Sequence, residues 1–118
     1  MLFRSPPLAA SEKPLEVSAW NHTSKSGKRE SVNLDIFKVD SRSDASVSLS
    51  PVREGNMAPE WVAQRFQIGD EGYVITYKKG SRFEIHFRRG TTIVRVSSDS
   101  LRLAKRFALL VAAQLDGN

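Results

Sequence analysis

Between Gly72 and Ser98, apolar and polar residues alternate in three short runs: GYVITYKK (72–79), SRFEIHFRR (81–89) and TTIVRVSS (91–98). A period of two puts successive side chains on opposite faces of a pleated strand, so these runs read as an antiparallel meander. Gly80 and Gly90 sit between the runs, where a tight turn favours a residue that takes positive φ at little cost. In the middle run Phe83, Ile85 and Phe87 share one face, and Arg82, Glu84, His86 and Arg88 share the other. The expectation is phenylalanines inward and charges outward to solvent. Two earlier runs, LEVSAW (15–20) and SVNLDIFKV (31–39), alternate around the polar connection NHTSKSGKRE and read as a first hairpin.

The period changes after Ser98. Leu101, Ala104, Ala108, Val111 and Leu115, widened by Phe107 and Ala112, form a stripe at helical spacing through DSLRLAKRFALLVAAQL (99–115). Ser98 is the expected N-cap, Asp99 the first-turn acid that suits the helix dipole, and Gly117 the stop. Leu103 and Leu110 fall off that stripe. A shorter helix is expected over DSRSDASVSL (40–49), where Ser41 and Asp44 stand in capping-box register, with Pro51 ending it. PVREGNMAPE (51–60) reads as a loop, and WVAQRFQI (61–68) as a helical turn leading into a short strand. Together these elements define an α+β domain over residues 15–116: two layers, with a mostly antiparallel sheet of five to six strands. A short helix and a long C-terminal helix are expected on one face.

Composition supports one domain. The 118 residues are 40% hydrophobic and 26% charged, enough for a single modest core and far from the composition of disorder. The longest apolar run, FALLVAA (107–113), is too short to cross a bilayer. Residues 1–14 stand apart. Ser5 to Pro14 holds three prolines and reads as a lead-in. Met1 to Ser5, MLFRS, equals the translation of a common sequencing-adapter end (GTG CTC TTC CGA TCT), and is expected to be an artefact. A targeting segment upstream is therefore left open.

Charge is unevenly placed. Lys78 to Arg106 holds nine cationic residues against Glu84 and Asp99, a net of +7, leaving −2 for the rest of a chain whose total is +5. This asymmetry nominates Lys78, Lys79, Arg82, Arg88, Arg89 and Arg95 as candidate anion-binding residues of a polyanion-binding module, for nucleic acid or an anionic surface. Nucleic acid is not the favoured partner. Phe83 and Phe87 lie on the apolar face, away from the cations, whereas single-strand binders stack bases on exposed aromatics. Ser81 also stands where the basic-glycine-aromatic RNA-recognition strand needs an aromatic.

Catalytic chemistry finds few footholds. There is no cysteine and only two histidines, His22 and His86, so thiolate or imidazole-rich metal sites are not expected. Glu84 and His86 are neighbours on one strand, without a nucleophile elbow to serve them. GDEG (69–72) lacks the spaced oxygen ligands of a calcium loop and reads as a turn. NHT (21–23) is a formal glycosylation acceptor, and Trp20 and Trp61 read as core residues. No cofactor, metal or catalytic residue is expected, and the chain is not expected to be an enzyme.

The segments GDEGY (69–73), HFRRG (86–90), VRVSS (94–98) and AKRFALLVAAQL (104–115), with LDIFKVDSRSDA before them, resemble a pattern of uncharacterised extracytoplasmic bacterial domains found in lipoproteins and secreted proteins. Thr91 departs from that pattern, which commonly has Asn after the turn glycine. The resemblance spans roughly residues 31–116 and implies an α+β fold and an exported home (periplasmic, lipid-anchored or secreted) if a signal precedes this chain, cytoplasmic otherwise. The resemblance carries over no activity and no site residue; with no catalytic motif in the sequence, a binding or scaffolding role in a larger exported protein, with a protein or envelope partner, is the expectation.

Overall fold

The computed structural model describes residues 16–23, 27 and 29–116. The lead-in 1–14, including the MLFRS segment, and Leu15 lie outside the described residues. Among the described residues, six strands and three helices follow in the order β1 (Glu16–Thr23), β2 (Arg29–Lys38), α1 (Arg42–Ser48), α2 (Ser50–Arg53), β3 (Trp61–Arg65), β4 (Glu71–Tyr77), β5 (Phe83–Arg89), β6 (Thr92–Ser98) and α3 (Leu101–Asp116). All six strands join one antiparallel sheet, ordered β1-β2-β6-β5-β4-β3. The fold is α+β, as the alternation indicates. The meander β3 to β6 runs through short turns, and β6 then pairs with β2 of the first hairpin.

Register sorts the sheet into two faces. Directly opposed residues share a face, so Gly72, Phe87, Val94 and Ile36 make one rung, and Val74, Ile85, Val96 and Leu34 the next. On this face lies the main core, where Ile85, Phe87, Val94 and Val96 are fully buried against Leu103, Ala104, Ala108 and Ala112 of α3. Alanine at three of those four positions lets the helix backbone sit close to the sheet. Leu103, off the expected stripe, is therefore a core residue at 5% exposure, whereas Leu110 is 55% exposed.

The opposite face is covered as well, which corrects the two-layer expectation of helices on one face only. Phe37 and Ile93 pack with Ala45 of α1, while Tyr73 and Ile75 pack with Leu49 and Val52. The physical reason is the connection itself. It must cross from β2 to β3 at the far edge of the sheet, and Ala45, Leu49 and Val52 recur at helical spacing so that the crossing segment buries an apolar stripe on its way.

Local signals held or failed for identifiable reasons. Ser41 caps α1 as expected, its hydroxyl accepting from the Asp44 N–H at 3.0 Å. Pro51 does not end the helical segment. It stands in the first turn of α2, where its missing N–H has no intrahelical acceptor to lose. Residues 61–65 form an edge strand with no helical turn, and Trp61 packs at the margin of the second cluster, its ring 5.4 Å from that of Tyr77. Ser100, not Ser98, caps α3 by accepting from the Leu103 N–H. Asp99 thus precedes the cap, and the Ser98 hydroxyl donates to Ser31 O and accepts from the Ser100 N–H.

The α3 interface gives a direct check. Ala108→Leu should cost about 1–3 kcal/mol by overpacking a filled space. Leu110→Gln, on the exposed side, should stay within about 0.5 kcal/mol. Urea unfolding of both variants distinguishes them by midpoint.

Candidate functional site

The two motifs GDEGY and HFRRG meet in space. Gly69 has φ +60, and a Cβ there would lie 2.4 Å from Arg88 O, so only glycine lets the loop press against β5. The next residue, Asp70, donates its N–H to Arg88 O at 2.8 Å. Its carboxylate accepts from the Gly90 N–H at 2.8 Å and from Arg89 at 3.0 Å. Those bonds, the turn N–H foremost, hold the Asp70 carboxyl below the ordinary aspartate range. Arg89 also reaches Asp116 at the end of α3. The Gly-Asp pair thus clips the β3–β4 loop onto the β5–β6 turn.

Glu71 is the centre of the cluster. Arg53 of α2 grips it with both Nε and Nη2 at 2.7 Å, Arg88 of β5 donates to Oε1 at 2.9 Å, and the Tyr73 hydroxyl donates to Oε2. Arg53 Nη2 reaches on to the Ser46 carbonyl and hydroxyl of α1. The carboxylate is 7% exposed. Burial alone would raise its pKa, but the Arg53 hydrogen bonds, joined by those from Tyr73 and Arg88, outweigh it and hold the group at about 2. The Tyr73 phenol is pushed up by burial first and by its bond to Glu71 second.

Beside this cluster runs a polar rung. Arg65, Tyr73, His86, Arg95 and Asp35 are successive partners across β3, β4, β5, β6 and β2. Arg95 pairs with Asp35 at 3.0 Å and lies over the Phe37 ring. His86 is fully buried, and its Nε2 meets Glu84 Oε1 at 2.8 Å, with Glu84 itself 1% exposed. Its Nδ1 has no hydrogen-bond partner among the described residues. The expectation that Glu84 and His86 face solvent is therefore overturned. They do lie opposite the phenylalanines, but on the face that α1 and α2 cross.

The six candidate anion-binding residues do not gather into one patch. Arg88, Arg89 and Arg95 each hold a carboxylate, and Arg82 donates to Ser97 Oγ at 2.9 Å. Lys78 and Lys79 are exposed in the β4–β5 turn, at the other end of the strand from Arg88 and Arg89. Shallow depressions flank the motif corner, one of about 430 Å³ inside the 65–72 loop and one of about 500 Å³ lined by Arg42, Asp70, Arg89, Gly90, Leu115 and Asp116. Among the described residues no group of three or more His, Asp or Glu side chains is placed to hold a metal ion.

The Glu71 hub escapes sequence reasoning because its partners come from three separate elements. Its one local trace is an acid placed immediately before a buried strand, where a lone charge would be costly. Comparison with known proteins adds no relative: no family model, curated protein or solved structure matches the chain.

Two outcomes test this corner. Because the folded-state pKa of Glu71 lies below its ordinary 4.5, its contribution is fully present above that value and is lost as pH falls through about 2. Glu71→Gln should cost at least ~2 kcal/mol at neutral pH, stranding two arginines, and should flatten the acid limb of a stability–pH profile. Gly69→Ala should cost at least ~2 kcal/mol, from the positive φ and the clash with Arg88 O together. Gly55→Ala, at positive φ but in open space, should cost about 1 kcal/mol; thermal melts of the two variants give the comparison.

Proposed function

We propose that this chain is a non-catalytic domain of an exported bacterial protein, acting in binding or scaffolding. One observation carries the non-catalytic reading: the side chains with the most chemistry to offer are spent on one another inside the fold. His86 and Glu84 pair at 0% and 1% exposure, and Glu71 is saturated by Arg53, Arg88 and Tyr73. A general base must reach a substrate proton, and neither buried group is placed to do so. The exported home rests on the motif resemblance, whose GDEGY and HFRRG elements form the structural joint described above.

The alternative, a polyanion-binding module built on the six basic residues, finds less support, because four of them already have partners within the fold. The two readings separate by experiment. Reading the source gene upstream of the Ser5 codon should reveal an in-frame export signal, and the tagged full-length product should fractionate with the cell envelope or the medium. A cytosolic product that binds oligonucleotide with a steep salt dependence would overturn the proposal.

A further inference from the structure

Arg102, Arg106, Leu109, Leu110 and Ala113 recur at helical spacing along the side of α3 turned from the sheet, and all five are exposed. The stripe divides along the helix axis. Two guanidinium groups occupy its first half, and a leucine pair at 50% and 55% exposure begins the second. Both halves run against what a helix would choose for stability. Arg102 stands in the first turn, at the positive end of the helix dipole, where α3 carries no acid. It forms a long ion pair with Glu30 at 4.0 Å, and its side chain remains 72% exposed.

The surroundings extend the positive character. Phe83 pairs with both Thr76 and Ser98, so the turn bearing Lys78 and Lys79 stands at the same end of the sheet as the start of α3. The acids Asp70, Glu71 and Asp116 lie at the opposite end, each already paired with an arginine. The exposed cations Lys78, Lys79, Arg102 and Arg106 thus cluster toward the start of α3, and Arg106 stands one turn before the exposed leucines on the same helix side.

We propose that the outer face of α3 docks on an anionic lipid surface. Leu109 and Leu110 enter the headgroup boundary, and Arg102 and Arg106, reinforced by Lys78 and Lys79, meet lipid phosphates. Charge complementarity selects an anionic partner, and the leucines select one with an apolar layer beneath its charge. Nucleic acid offers no such layer, and leucine offers bases no ring to stack on. The outer side of a helix lying on a sheet is convex, which suits a bilayer plane better than a peptide needing a groove. Basic residues joined to exposed leucines on one helix are the pattern of a segment lying in the interface plane. No helix among the described residues is long and apolar enough to cross a membrane. With two leucines as its apolar contact, docking is reversible and salt-sensitive.

This inference rests on the reading of the chain as a binding domain and names the chemistry of its partner. The test is flotation of the 118-residue chain with vesicles of phosphatidylglycerol and phosphatidylcholine, against vesicles of phosphatidylcholine alone. The wild type should float with the anionic vesicles and not with the neutral ones. Arg102→Glu with Arg106→Glu should weaken partitioning at least ~10-fold. Leu109→Ser with Leu110→Ser should weaken it several-fold, with circular dichroism of both variants unchanged. Absence of flotation by folded wild type at low salt overturns the proposal. So does binding that ignores the leucine change and is matched by an oligonucleotide, which would point to nucleic acid instead. A product that fractionates with the envelope yet ignores anionic vesicles removes this inference and leaves the broader reading standing.

Discussion

The carboxylate of Glu71 is where the separate parts of this fold are tied together. It sits at the start of β4, receives Arg88 from the neighbouring strand, Tyr73 from its own, and Arg53 from the helical segment that crosses the sheet. Arg53 in turn holds the Ser46 carbonyl and hydroxyl of α1. A charge this buried is tolerated only when its hydrogen-bonding capacity is filled, and four donor contacts fill it. The consequence is positional: with Glu71 fixed, the loop before it is held so that Gly69 and Asp70 meet the β5–β6 turn.

The same logic extends across the sheet. One face is apolar rung after rung and takes α3; the other alternates apolar patches with a polar rung through Tyr73, His86, Arg95 and Asp35. The small helices cover the apolar patches; Asp35 and Arg95 pair along the rung, while His86 and Tyr73 bond to Glu84 and Glu71 two residues away on their own strands. Internal pairing thus engages Arg82, Arg88, Arg89 and Arg95 among the basic residues that make the C-terminal third so positive. The exposed cations Lys78, Lys79, Arg102 and Arg106 lie near the start of α3 and in the β4–β5 turn, which is why the outward surface, rather than the motif corner, carries the functional proposal.

Much of the fold was legible because alternation and helical spacing are local properties. The meander β4 to β6, the Ser41 cap and the long terminal helix follow from residues close together in sequence. The second covered face was harder to see: Glu84, His86 and Arg88 have the pattern of a solvated strand face, and alternation separates two faces without saying what lies on each. A signal was present in Ala45, Leu49 and Val52, an apolar helical stripe that needed a sheet face to cover. The Glu71 hub and the Arg95–Asp35 pair depend on residues 18 and 60 positions apart, beyond any local pattern. The charge excess of the cationic candidates is a property of the sequence, but which of them are paired within the fold is a property of the tertiary structure.

The most direct measurement is a carbon-detected NMR titration of the Glu71 carboxylate in the folded chain. A group clasped by Arg53, Arg88 and Tyr73 should stay ionised well into acid, with an apparent pKa of about 2. Titration near the ordinary value of 4.5 would mean that the carboxylate is solvated and the clasp absent, contradicting the view that this interaction joins the crossing helices to the sheet.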